Sequence, residues 1–182
     1  MNNLFQTFTE ARLRYDTERR EQAELARQGL ELKLAQRDVL KAAAEIKTKP
    51  LEMKFTAVDG REVDLAKLQG KVVLIDFWAT WCGPCVAELP NVIKAYKELH
   101  PKGFEIVGIS LDSDKAELQA FVKDKGMEWP QYFDGKGWQN EISTKYGINS
   151  IPAMWLLNKK GMVVSTNARG GLEEQVAKLL AE

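Results

Sequence analysis

The spacing of apolar residues changes character at Pro50. Before it, from about Thr7 to Lys49, the chain is dense in Glu, Arg, Lys, Gln, Ala and Leu and holds one glycine, Gly29. Straight-chain residues and alanine favour helix, and a proline closes the segment, so one or two long helices are predicted. Thr7 with Glu10 fits a capping box at the start. Leu32, Ala35, Val39, Ala42 and Ile46 recur at the three-four spacing of a coiled-coil seam. Gly29 and the polar stretch Arg19–Gln22 interrupt that stripe. The segment therefore reads as a helix that packs on its own domain or on a partner, with self-association through the seam as the other use.

After Pro50 the pattern alternates as in strands. Leu51–Ala57 and Arg61–Leu65 flank the turn residues Val58-Asp59-Gly60 and predict a hairpin. A turn at Leu68–Lys71 precedes Val72–Trp78, a nearly unbroken apolar run of the kind buried on both faces of a sheet. A helix is expected from Val86 to about Leu99, with Val86, Leu89, Val92, Ile93 and Tyr96 on one face. Strand Phe104–Leu111, helix Lys115–Lys125, an extended piece at Pro130–Phe133 and helix Trp138–Tyr146 follow. Strands Ala153–Asn158 and Met162–Asn167 and a helix from Leu172 complete the chain. Strands alternating with helices predict an α/β domain around a central mixed sheet. The expected division is a helical extension over 1–49 and a globular domain over 50–182.

Composition narrows the function. The 182 residues suffice for one well-packed domain with an appendage. Twenty-six basic and 26 acidic residues balance, so no net field draws nucleic acid or an anionic membrane surface. No run of about 18 apolar residues crosses a membrane. Met1 to Glu10 lack the basic stretch and apolar block of a secretory leader, which leaves a cytoplasmic location open.

The two cysteines, Cys82 and Cys85, lie three apart in Trp81-Cys82-Gly83-Pro84-Cys85, directly after the buried strand. No other cysteine is present, so they form no disulfide scaffold. A zinc site would need four ligands, and beyond this pair the chain offers one distant His100 before Pro101. The pattern fits thiol–disulfide exchange. A cysteine attacks a disulfide only as the thiolate, and the first turn of a helix, where Pro84 is tolerated, lowers its pKa. Cys82 is then the attacker and Cys85, one turn further in, the resolving thiol. Two carboxyls are candidate acids for Cys85: Asp76, inside the apolar strand, and Glu88, three residues after Cys85 on the helix.

Val73 to Cys85 resembles the active-site strand and helix start of thioredoxins, and Tyr146-Gly147-Ile148-Asn149-Ser150-Ile151-Pro152-Ala153 resembles their loop with a cis proline facing the cysteines. The resemblance covers about Leu51 to Glu182 and implies a thioredoxin-like fold. It implies that Ile151–Pro152 is cis and docks an extended substrate strand, that Trp81, Gly83 and Pro84 line the same substrate surface, and that Asp76 is the family's buried acid. The hairpin, the Ala79-Thr80-Trp81-Cys82 wording, Glu88-Leu89-Pro90 and the insert Leu111–Tyr146 look more like the TlpA/ResA branch. That branch implies a periplasmic or secreted reductant of protein disulfides, with no cofactor beyond its own Cys82–Cys85 couple. Ordinary thioredoxins lack the hairpin and insert, so thioredoxin reductase is not implied as the electron donor.

Two other readings fit the pattern less well. A peroxiredoxin-like peroxidase shares the core but needs a proline and a threonine before its reactive cysteine, where Ile75 and Ala79 stand. A non-catalytic interaction module assembled by residues 1–49 would have no use for two cysteines in a reactive arrangement.

Overall fold

The computed structural model describes residues 2–46 and 48–182, with side-chain surroundings given from Glu10 onward except at 11 and 43. Its contacts divide the chain into two compact units, Met1–Leu40 and Lys41–Glu182.

The first unit is carried by one continuous helix, α1 (Asn2–Glu45). It begins at Asn2, so Thr7 and Glu10 lie inside it and do not cap it. Local side-chain pairs on its surface, such as Arg27 donating to Glu24 at 2.7 Å, support the helix. Burial changes along the predicted seam. Leu32 and Ala35 are exposed, as are Leu13, Leu25, Leu30, Leu34 and Leu40 on several sides of the helix. Ala42 and Ile46, by contrast, are buried within the second unit.

The second unit opens with the hairpin, β1 (Lys54–Thr56) and β2 (Glu62–Asp64), an antiparallel pair turned at Gly60. Gly60 has φ +89, a conformation that glycine adopts without strain. The main sheet has five strands in the order β5-β4-β3-β6-β7. Its centre is β3 (Val72–Trp78), every residue of which is buried, as its apolar run requires. β3 pairs in parallel with β4 (Phe104–Ser110), which pairs in parallel with the short β5 (Gln131–Tyr132). On its other side β3 pairs antiparallel with β6 (Ala153–Leu157), followed by β7 (Val163–Ser165).

The helices are α2 (Gly83–Leu99), α3 (Lys115–Lys125), α4 (Glu141–Lys145) and α5 (Leu172–Ala181), with α2 packed on α5. The expected helix Trp138–Tyr146 is shorter and broken: a 3-10 turn at Gly137–Gln139 is followed by α4. Asn140 causes the break. Its side chain caps α4 by accepting the Ser143 N–H at 3.0 Å, which holds residue 140 itself outside helical geometry. Among the described residues no helix is long and apolar enough to cross a membrane.

Candidate active site

The site forms where β3 ends. The chain leaves the sheet at Trp78, turns with the Cys82 N–H on the Ala79 carbonyl, and enters α2. Cys82 is the cap of that helix: its Sγ accepts the Cys85 N–H at 3.2 Å, and Pro84 occupies the first turn. Cys82 and Cys85 are joined by a disulfide with their Cα atoms 5.2 Å apart. Both sulfur-bearing residues are nearly enclosed, while Trp81, Gly83 and Pro84 around them are exposed. Once reduced, a Cys82 thiolate would meet the unpaired N–H groups of the first turn. That placement favours the anion by about 0.3–1 kcal/mol, and more where the site is partly buried.

The second loop arrives along β6. The Ile151–Pro152 bond is cis. Phe77 pairs with Ala153 in the β3–β6 register, so the next step sets Pro152 against Trp78, at the exit that leads to the cysteines. Ile151 and Pro152 are half-buried.

Asp76 lies in the middle of β3, between Gly108 on one side and Met154 on the other. It is 4% exposed. Its pKa is pushed up to about 7, first by burial, which disfavours the anion, and second by the charge of Glu88. The two candidate acids are therefore within electrostatic reach of each other, and they differ in setting. Glu88 is half-buried on α2 and accepts the Asn91 amide at 3.3 Å.

Two features of this region are not apparent from the motif. The first is a buried polar chain behind the active-site loop. Asp112, 3% exposed, accepts the Thr80 N–H at 3.1 Å, the Thr80 hydroxyl at 2.6 Å and the Ser110 hydroxyl at 2.7 Å. Asn140, fully buried, donates to the Ser110 carbonyl at 3.1 Å. The only sequence signal was position, because Ser110 and Asp112 stand at the carboxyl end of a parallel strand, where α/β folds place their sites. The second is Trp138, whose ring centroid lies 5.9 Å from that of Trp81.

Among the described residues no group of three or more His, Cys, Asp or Glu is arranged to hold a metal ion. His100 ends α2 and pairs through Nδ1 with the Phe104 carbonyl at 2.9 Å, far along the helix from the cysteines.

A central mixed sheet, a disulfide at the start of the first helix after its central strand, and a cis proline at the neighbouring loop define a thioredoxin-fold domain with a redox-type cysteine pair. Residues 41–180 match the family model described as Redoxin, and the chain belongs to that family, on its ResA-like branch. A thiol-disulfide oxidoreductase ResA of Bacillus thuringiensis (strain Al Hakam) is 37% identical over 109 residues, which cover 60% of this chain and 61% of that protein. The chain thus spans somewhat under two thirds of that relative's length. For ResA of Halalkalibacterium halodurans the identity is 33% over 125 residues, 69% of each chain. Among solved structures, the thioredoxin domain of a thiol-disulfide oxidoreductase from Bacteroides vulgatus superposes with a TM-score of 0.65 at 28% identity, covering 73% of this chain and 96% of that one. A thiol:disulfide interchange protein from Bacteroides sp. gives 0.64 at 26% identity, covering 76% and 93%.

Proposed function

We propose that this protein is a thiol–disulfide oxidoreductase that reduces disulfides of partner proteins through its Cys82–Cys85 couple. The observation that carries the reading is the disulfide itself, formed by the only two cysteines of the chain at the N-terminus of α2. The Cys82 thiolate of the reduced form attacks one sulfur of the partner's disulfide. The partner's other sulfur leaves as a thiolate, and a mixed disulfide remains. Cys85, giving up its proton, then attacks Cys82 Sγ and releases the second partner sulfur. Two electrons have passed to the partner, and Cys82–Cys85 is again the disulfide. A dithiol reductant must restore the couple.

Asp76 is the proton acceptor for Cys85 in this scheme. A carboxyl near 7 is half-ionised at neutral pH and is a far better base than one in its ordinary range. Glu88 acts through Asp76 by holding that value up. Ile151 and Pro152, with Trp81, Gly83 and Pro84, present the surface on which an extended partner strand lies. The couple carries the electrons, so the scheme calls for no resident cofactor. The TlpA/ResA resemblance adds a periplasmic or secreted setting to the proposal.

Insulin reduction with dithiothreitol tests it. The parent chain should precipitate insulin well above the reagent rate and Cys82→Ser should not. Equal rates for the two would overturn the reading.

A further inference from the structure

We propose that Trp138 sets the substrate preference of this site, its indole forming with that of Trp81 one aromatic rim that grips the polypeptide on either side of a protein disulfide. The proposal rests on the reading of Cys82–Cys85 as the redox centre. Its occupant is an extended stretch of partner chain bearing apolar side chains.

The two indoles are large apolar groups left in water, Trp81 next to Cys82 at 53% exposure and Trp138, against Trp81, at 49%. They meet each other at an interplanar angle of 52°, which leaves part of each free for a third apolar group. Tryptophan placed this way is the side chain most often found to dominate a protein interface, because a single ring buries a large area at small entropic loss.

The rim is also rigid. Trp81 follows Thr80, whose N–H and hydroxyl are both fixed on buried Asp112. Trp138 stands two residues before Asn140, which is fixed on the Ser110 carbonyl, while the Ser110 hydroxyl binds the same Asp112. One buried chain of hydrogen bonds therefore holds the loop of each tryptophan, and a surface ordered in advance loses little freedom on binding. Lys136 is paired with Glu141 at 2.5 Å, and the Asp134 carboxylate beside them accepts the Lys136 and Glu141 N–H groups at 3.0 and 2.8 Å. A small disulfide needs only to reach Cys82, whereas the proposed polypeptide also lies across Trp138.

The test compares the full-length parent with Trp138→Ala on two probes, insulin and 2-hydroxyethyl disulfide. The ratio of insulin to small-disulfide kcat/KM should fall about tenfold, the size of a moderate interface contact, with the loss in KM for insulin and not in kcat. Trp138→Phe should recover most of it, and Val164→Ala, at an exposed apolar position of β7, should leave the ratio unchanged. Asp112→Asn, which loosens the shared support, should lower the same ratio and weaken the circular-dichroism couplet of the paired indoles. An unchanged ratio in Trp138→Ala, or a loss carried by kcat on both probes, would overturn the rim while leaving the redox reading intact. A parent chain that reduces neither probe would overturn both.

Discussion

Replacing Asp76 by Asn removes an ionisable group from the middle of a strand whose every residue is buried, at almost constant shape. The Asp76 carboxyl titrates near 7 in the folded chain against an ordinary 3.8. Each pH unit of such a difference corresponds to about 1.4 kcal/mol. Between about pH 4 and 7 the native state keeps this proton while the unfolded chain has released it. The unfolded state then binds fewer protons, and stability falls as pH rises through that window. Below pH 4 nothing is lost. Above pH 7 the loss levels off at about 4 kcal/mol, the work of burying the charge.

Asparagine does not titrate, so every other group's contribution cancels when variant and parent are compared. Guanidinium unfolding of the oxidised proteins at pH 5, 6, 7 and 8 should show Asp76→Asn gaining on the parent, by about 3 kcal/mol between the two ends. A difference that is flat with pH would refute the argument, because it would mean that Asp76 is ionised in the folded chain at pH 5. The gain in stability should be accompanied by slower release of the mixed disulfide if Asp76 takes the Cys85 proton as proposed.

Glu88→Gln removes the charge that helps to raise Asp76, so the midpoint of the parent's stability loss should move to lower pH; an unmoved midpoint would separate the two acids. In the reduced protein Cys82 should alkylate at least about ten times faster than Cys85, read by mass spectrometry of iodoacetamide-treated chain, because only Cys82 caps the helix. Gly108→Ala should destabilise the fold by about 1–3 kcal/mol in denaturant titration. A Cβ there would run into the Gln131 side chain, whose Oε1 accepts the buried Trp78 Nε1–H at 2.9 Å.

The central strand, the motif helix, α3 and the hairpin were legible because local pattern and final burial agree in them. Val72–Trp78 is apolar throughout and buried throughout, and Lys115–Lys125 carries its own stop in Gly126, which has φ +66. The long helix was legible as helix. Its three-four stripe looks like a seam, yet Leu32 is exposed and Ile46 belongs to the globular unit, a division made by tertiary contacts that periodicity does not record. Trp138–Tyr146 failed for a related reason: helical propensity along the segment was overridden by the Asn140 side chain, which is more stable as a buried cap than as a mid-helix residue. The cysteine pair, Asp76 and Pro152 could be picked out as residues of the motif. Asp112 and Trp138 could not, because each acts across more than 30 residues of sequence separation or more than 50, through contacts with Thr80 and Trp81 that exist only after the sheet has formed.

The two demands on this site conflict, and the fold separates them along one strand. The resolving step needs a base close to neutrality, which a carboxylate provides only if it is kept dry. The attacking step needs a sulfur that a partner can reach and a surface to hold that partner. In the proposed scheme Asp76 meets the first demand from within β3, where it is buried between two neighbouring strands. Six residues later Cys82, itself nearly enclosed, stands at the helix cap between exposed Trp81 and exposed Gly83, where the proposed scheme puts the attack. Thr80 lies on the path between them, and its bonds to Asp112 prevent the loop from relaxing toward either end. Loosening Asp112 should therefore disturb partner binding before it disturbs the acidity of Asp76, whose value is set by burial and by Glu88 and not by the loop.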